Sequence, residues 1–200
     1  MENRKNKTVN LAVTSVLAAI IILISFFPLK TMGLEINFSM VPVAIGAIFL
    51  GPSAGAILGL VFGAVSFAQC FFYSPFGAAL LQENAFYTFL VCVPTRVLAG
   101  FLTGLIYKGL KSIKNNKFFN AITLPATSFI APLLNTVFFM GTLVLLFYTG
   151  STLSGFATAL KAANPFMFII LFVGINGLVE MIASFVLTVP CVKVLDKIIK

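Results

Sequence analysis

Long apolar stretches alternate with short breaks of polar residues, Gly and Pro along the whole chain. The breaks lie at residues 28–35, 51–53, 73–84, 108–120, 149–165 and 193–200. The stretches between them cover about residues 8–28, 37–50, 53–72, 85–107, 121–148 and 165–192. Because a helix needs about 20 apolar residues to cross a bilayer, this pattern predicts six transmembrane helices, the second of them short.

The composition points to the same class of protein. Hydrophobic residues make up 60% of the 200 residues and charged residues 9%, whereas soluble globular chains are about half apolar and about a quarter charged. A soluble fold of this length would leave many Phe, Leu and Ile side chains in water. The sequence therefore predicts an all-α integral membrane protein with a single membrane domain over residues 1–200.

The positions of Lys and Arg predict the orientation of this domain. Six helices place both termini on one side, and ten basic residues fall on that side: Arg4, Lys5, Lys7, Lys108, Lys111, Lys114, Lys117, Lys193, Lys197 and Lys200. The other side has only Lys30 and Lys161. Since Lys and Arg concentrate in cytoplasmic loops, we expect both termini in the cytoplasm and the protein in the cell membrane.

The segments predicted to face outward, residues 32–38, 74–84 and 150–164, are not basic like the inner ones. They combine Gly, Phe, Glu and amides, or are rich in Ser, Thr, Gly and Ala. Such segments either close over a pocket that opens outward or merely connect the helices. The sequence alone leaves both interpretations open.

The residues needed for metal or catalytic chemistry are scarce. The chain has no His and five acidic residues, and its three cysteines, Cys70, Cys92 and Cys191, are far apart. Metal sites need clustered ligands and a catalytic site needs a nucleophile with a base, so we expect no metal, no cofactor and no enzyme activity. We interpret the cysteines as small packing residues. Residues 104–112 lack the order of a phosphate-binding GxxxxGK[ST] loop, so energy for transport would come from another chain.

Small residues recur every four positions on three predicted helices. Gly51, Gly55, Gly59 and Gly63 form one face of the third, and Gly100 and Gly104 repeat the spacing in the fourth. Such faces let helix backbones approach closely, and we expect this one to pack within the chain. On the first helix Ser15 and Ala19 form a similar pair beside Ala12 and Ala18, suited either to internal packing or to docking another membrane subunit.

Two charged residues, Arg96 and Glu180, lie deep in the fourth and sixth predicted helices. Because a charge at mid-membrane costs about 2.5–3.5 kcal/mol, each should face a partner or a cavity. Asn176 shares the helix face of Glu180, and Asn135 lies at a similar depth in the fifth helix. Arg96 and Glu180 form either a structural ion pair or a site where Arg96 binds an anionic group. Gln69, Asn84 and Tyr87 lie near the predicted outer mouth.

Three stretches carry a resemblance to a known family: residues 41–63 (VPVAIGAIFLGPSAGAILGLVFG), 134–147 (LNTVFFMGTLVLLF) and 174–180 (GINGLVE). With the six short spans, they make the chain resemble the substrate-binding S component of energy-coupling factor (ECF) vitamin transporters, most closely the pantothenate subgroup. The resemblance implies that the chain captures a vitamin from outside and then associates with a membrane coupling subunit and two ATPase subunits.

The resemblance also implies that a small-residue face of the first helix contacts the coupling subunit. That face maps onto Ala12, Ser15, Ala18 and Ala19, with Ser15 standing where the family pattern has Ala. For pantothenate, we expect Arg96 to bind the carboxylate and Asn135, Asn176 and Gln69 to bind the amide and hydroxyls. Glu180 fits an anionic ligand only if Arg96 neutralises it or if it is protonated. An S component for riboflavin or another vitamin, a self-sufficient secondary carrier, and a membrane enzyme or assembly factor are the alternatives.

Overall fold

The computed structural model describes residues 2–26, 29–31, 34–36, 38–112, 117–148, 150–159 and 164–199. These residues form nine helices and one short antiparallel hairpin, in which Lys30 lies opposite Glu35. The helices are α1 Glu2–Phe26, α2 Met40–Phe49, α3 Pro52–Phe72, α4 Pro75–Glu83, α5 Ala85–Cys92, α6 Pro94–Ser112, α7 Lys117–Phe147, α8 Ser151–Ala159 and α9 Pro165–Ile199, and the strands are β1 Leu29–Thr31 and β2 Leu34–Ile36.

Five helical stretches of the described chain are long and apolar enough to cross a membrane: Lys7–Phe26, Pro52–Phe72, Ala85–Ser112, Ile122–Phe147 and Gly177–Ile198. The second predicted span is a ten-residue helix, α2, which at 1.5 Å per residue is about 15 Å long, or about half of the hydrocarbon core. All of its residues from Met40 to Ile48 are buried. This helix therefore forms the centre of the protein core, in contact with α1, α3, α6, α7 and α9.

The fourth predicted span is interrupted. Helix α5 ends at Cys92 and α6 begins at Pro94, because proline has no backbone N–H with which to continue the helix. Side chains occupy backbone acceptors near this break: the Thr95 hydroxyl donates to the Val91 carbonyl at 2.5 Å. The break places the next turn of α6, which contains Arg96, beside these carbonyl groups.

The two longer segments predicted to face outward contain helices that the sequence did not predict. Ser74 caps the start of α4: its hydroxyl accepts the Gly77 N–H, and Pro75 follows as the first residue of the helix. This is a typical start signal for a helix. Helix α8 packs through Leu153 onto an apolar cluster made with α4, α5 and α7: Leu80, Val91, Met140, Leu143 and Phe147. Residues 75–83 and 151–159 therefore form packed helices rather than simple connectors.

The glycine face predicted on the third and fourth helices packs within the chain. A Cβ atom on Gly55 would collide with the backbone carbonyl of Gly100, and one on Gly59 with that of Arg96. One on Gly104 would lie 2.6 Å from the Pro52 Cα. The α3 and α6 backbones are therefore in direct contact, as small-residue packing in membranes predicts.

Gly51 is wrongly included in that face. It precedes α3 with a φ of 102°, and apart from its chain neighbours no atom of the described residues lies within 4 Å of the position its Cβ would take. Positive φ is readily adopted only by glycine. Gly51 is therefore required by the turn between α2 and α3 rather than by helix packing.

Candidate binding site

Arg96 lies in the first turn of α6 and is 7% exposed. Its Nη1 donates to the Cys92 carbonyl at 3.0 Å and lies 3.5 Å from that of Val91. Both acceptors belong to the last turn before the break between α5 and α6. The interrupted helix thus supplies the polar contacts that hold one edge of the guanidinium group.

Two phenylalanine rings flank the same guanidinium group. Its central carbon lies 4.6 Å from the ring centre of Phe62 on α3 and 4.9 Å from that of Phe139 on α7. Both distances fall within the roughly 6 Å range of cation–π attraction, which strengthens away from water. Three helices therefore fix the charge of Arg96 in an apolar, aromatic environment.

One donor of this group is not used. Arg96 Nε is buried and has no hydrogen-bond partner among the described residues. A buried donor without a partner costs about 1–3 kcal/mol, and more when it is charged. An acceptor brought by a ligand would remove that cost.

Asn135 presents a second unused polar atom. Its Oδ1 is buried and has no hydrogen-bond partner in the described part of the chain. Asn135 lies on α7 four residues before Phe139, about one helical turn away on the same face. The Arg96 guanidinium group of α6 contacts Phe139 of α7, and the Asn135 amide lies one turn of α7 before Phe139. This arrangement suits a ligand with an anionic group and a hydrogen-bond donor.

Glu180 lies on α9 and is partly buried. The pairing of Glu180 with Arg96 stays a prediction. Asn176 belongs to the same helix, but its side chain lies outside the described residues. Further along α9, the Ser184 hydroxyl donates to the Ser128 carbonyl of α7 at 2.8 Å, so the polar faces of the two helices meet.

The remaining predicted site residues have structural contacts. The Gln69 amide donates to the Ser25 carbonyl of α1 at 2.5 Å, which ties α3 to α1. The Asn84 side chain accepts the Tyr87 N–H at 3.1 Å and thereby caps α5. The Tyr87 ring packs edge-on against Phe147 at 6.0 Å. These contacts account for Gln69 and Asn84 without a ligand.

A carboxylate anchors α8 near this region. The Thr152 N–H in the first turn of α8 donates to Oε2 of Glu83 at 3.0 Å, and the other Glu83 oxygen lies against Gly150. Negative charge is favoured at a helix N-terminus because the first N–H groups are unpaired there. Glu83 therefore fixes α8 over the end of α4.

The predicted docking face of α1 divides in two. Ala12, Ser15 and Ala19 are exposed, whereas Ala18 packs against the cluster around α2. Within the described part of α1, three of the four predicted positions therefore lie on the protein surface. This leaves them available for contact with lipid or with another membrane helix.

Sequence reasoning did not identify Phe62 and Phe139 as partners of Arg96. Phe62 lies beside the glycine face of α3, and Phe139 follows Asn135 by one turn. With 23 phenylalanines in the chain, nothing in the sequence distinguishes these two. No group of three or more potential metal ligands occurs among the described residues.

Comparison with protein families matches residues 9–192 to the ECF transporter, substrate-specific component. The chain belongs to this family. The match confirms the resemblance that the sequence suggested, and it identifies the chain as a membrane-embedded substrate-binding component of a transporter rather than an enzyme. S components bind a vitamin substrate and work with a membrane and ATPase module.

Two individual proteins are similar to this S component over almost their whole length. The pantothenic acid transporter PanT of Lactococcus lactis subsp. cremoris is 29% identical, with 97% of each chain covered. The structure of ThiT from Listeria monocytogenes superposes with a TM-score of 0.60 at 18% identity, covering 96% of this chain and 97% of that one. The second similarity establishes the fold alone.

Proposed function

We propose that this S component captures pantothenate from outside the cell for an ATP-driven importer. The proposal is carried by Arg96, a buried guanidinium group held between two aromatic rings with one donor unused. Pantothenate has a carboxylate for that donor, and its amide N–H and hydroxyls can donate to Asn135. The similarity to PanT supports this choice of vitamin.

In this proposal Glu180 orients Arg96 rather than binding the ligand. A carboxylate beside an anionic ligand would repel it unless a cation lies between them. Arg96 carries several donors in a planar fork, so it can interact with Glu180 and with the ligand carboxylate from different edges. Asn176, Gln69, Asn84 and Tyr87 are further proposed binding residues, of which Gln69 and Asn84 would bind the ligand in addition to their protein partners.

We further propose six membrane-embedded helices with both termini in the cytoplasm and the pocket open to the outside. The distribution of Lys and Arg supports this orientation. In that arrangement α4, α8 and the β-hairpin lie on the outer side. The protein then resides in the plasma membrane.

The proposed partners are a membrane coupling subunit and two ATPase subunits, with α1 as the docking helix. The small, exposed side chains on α1, those of Ala12, Ser15 and Ala19, allow another helix to approach closely. Replacing Ser15 with Leu should block this approach while leaving the binding site untouched. Uptake into cells should fall more than tenfold while vitamin binding to the purified protein stays unchanged.

Ser15→Ala is the matched control, since it keeps a small side chain at the same position of α1. It should leave uptake near the wild-type level. Equal uptake by the Ser15→Leu and wild-type proteins would reject α1 as the docking helix.

The decisive experiment for the vitamin is to purify the protein and identify any bound small molecule by mass spectrometry, followed by equilibrium binding with a vitamin panel. Pantothenate should bind more tightly than every other member. Preference for riboflavin would assign the aromatic rings of Phe62 and Phe139 to a flat ligand and reject pantothenate. Uptake measured without any coupling or ATPase subunit would instead indicate a self-sufficient secondary carrier.

A further inference from the structure

Two of the three cysteines lie in contact with each other. Cys70 is near the end of α3 and Cys92 is the last residue of α5, so 22 positions separate them in sequence. Their sulfur atoms are 4.0 Å apart, and the residues are 5% and 4% exposed. Cys191, by contrast, is exposed on α9. The chain therefore folds two thiols into one buried site.

The surroundings of the pair are tightly packed. A Cβ atom on Gly77 of α4 would lie 2.6 Å from the Cys70 sulfur, so a larger residue there would displace it. Val93 completes the buried cluster, with Phe67 and Val97 packed against it. The Cys70 thiol donates to the Ser66 carbonyl at 3.4 Å. This packing keeps each thiol beside the other and away from bulky reagents.

The pair is also linked to Arg96 by a direct contact. The carbonyl of Cys92 accepts the hydrogen bond from Arg96 Nη1 at 3.0 Å. Movement of the Cys92 backbone would therefore lengthen or shift the hydrogen bond that holds the Arg96 guanidinium group in the proposed binding site.

We propose that Cys70 and Cys92 form a redox-sensitive dithiol, which a small neutral peroxide oxidises to a disulfide that joins α3 to α5 and displaces the backbone anchor of Arg96. The first thiol attacks the peroxide O–O bond, giving a sulfenic acid and releasing one water molecule. The second thiol attacks that sulfur, which forms the S–S bond and releases a second water molecule. Two thiols and hydrogen peroxide thus yield one disulfide and two water molecules.

The geometry requires only a short movement. A disulfide bond is about 2.05 Å long, so the sulfurs at 4.0 Å must approach by about 2 Å. Under the proposed orientation the pair lies in the outer half of the membrane, on the side where thiols encounter oxidising conditions. The effect on Arg96 rests on the proposed function, whereas formation of the disulfide does not.

The test uses the full-length protein in the Cys191→Ser background, so that Cys70 and Cys92 are the only thiols. After treatment with hydrogen peroxide, denaturation and alkylation, peptide mass spectrometry should find the Cys70 and Cys92 peptides joined, with two hydrogens lost. Dithiothreitol should restore both alkylated peptides. Cys70→Ser in the same background should show no such product. Two free or separately oxidised thiols after treatment would overturn the proposal.

Pantothenate binding is then measured before oxidation, after it, and after reduction. The oxidised protein should bind at least threefold more weakly, and reduction should restore its affinity, while the Cys70→Ser protein should not change. A linked pair with unaltered affinity would overturn the coupling to Arg96. Failure of the reduced protein to bind pantothenate would reject the proposed vitamin but leave the mass-spectrometric result on the disulfide standing.

Discussion

Helix α6 combines a backbone that packs directly on α3 with a buried side chain, Arg96, whose donors are not all used within the described chain. At Gly100 and Gly104, the backbone rests directly on α3 with no space for a single added carbon. In the first turn, the side chain of Arg96 is buried between Phe62 and Phe139 and still has an unused donor. The glycine contact is complete within the chain, whereas we propose that a ligand completes the surroundings of Arg96.

This difference indicates how a small membrane protein can be both rigid and able to bind. Close backbone contact provides helix association without a hydrophobic driving force, and it fixes α3 and α6 relative to each other. Phe62 and Arg96 extend from these two helices, so their separation is set by the glycine contact. The glycine contact therefore positions the site that we propose binds the vitamin.

Gly100→Val disrupts the contact between α3 and α6 and should have the largest effect on the stability of the protein. Its Cβ would collide with the Gly55 carbonyl, and neither backbone can rotate away as a side chain could. Overpacking typically lowers the free energy of unfolding by about 1–3 kcal/mol. Because the collision here is with backbone, we expect this variant to lose about 3 kcal/mol or more. Size-exclusion chromatography of the detergent-solubilised protein should show loss of the monodisperse peak.

Gly109→Val is the control on the same helix, because outside its own helix no atom of the described residues lies within 4 Å of its Cβ position. It should purify like the wild type and retain its thermal stability. A well-folded Gly100→Val protein would mean that α3 and α6 can separate without consequence.

Arg96→Gln removes the charge of the proposed binding site and should leave the fold largely intact. Hydrogen bonds to charged groups contribute about 1.5–3 kcal/mol, which corresponds to a loss of pantothenate affinity of roughly 10- to 150-fold. Isothermal titration calorimetry measures this loss. Lys108→Gln removes the same charge from the exposed end of α6 and should leave affinity unchanged, whereas wild-type affinity in a folded Arg96→Gln protein would exclude Arg96 from the site.

Asn135→Leu tests whether the unused amide oxygen serves the ligand. Removing a buried acceptor without a partner should stabilise the empty protein by about 1 kcal/mol, while pantothenate affinity should fall about tenfold by loss of one hydrogen bond. Thermal unfolding and titration together separate the two effects. Thr188→Val removes another buried oxygen that has no partner among the described residues, and it should affect binding little. An equal loss of affinity in both variants would show that Asn135 has no specific role in binding.

Glu83→Gln should have the smallest effect, on the rate at which ligand leaves. Charge at the start of a helix contributes about 0.3–1 kcal/mol, so losing it at α8 should speed pantothenate dissociation about two- to five-fold in a stopped-flow or filter-binding assay. Gln82→Ala, at the exposed neighbouring position, serves as the control. An unchanged dissociation rate would show that α8 does not restrain the ligand.

Several features of the fold could be predicted because they depend on local pattern. Apolar length located the helices, and the spacing of Gly55, Gly59 and Gly100 predicted a close contact that the structure contains. The prediction that Gly51 belongs to the same face was wrong because glycine occurs in turns as well as on helix faces, and spacing does not distinguish the two. Helices α4 and α8 were missed because short helices in polar segments depend on caps and on tertiary packing more than on apolar periodicity.

The sequence by itself determined that this chain is a membrane protein that resembles the S component family and has an arginine deep in a predicted helix. Charged residues inside membrane spans are rare, so this arginine marks a candidate site. Only the tertiary structure decided which groups surround that arginine. Phe62, Phe139 and the Cys92 carbonyl reach it from three different helices, and contact between distant segments follows from packing rather than from any spacing along the chain. The meeting of Cys70 with Cys92 was decided in the same way.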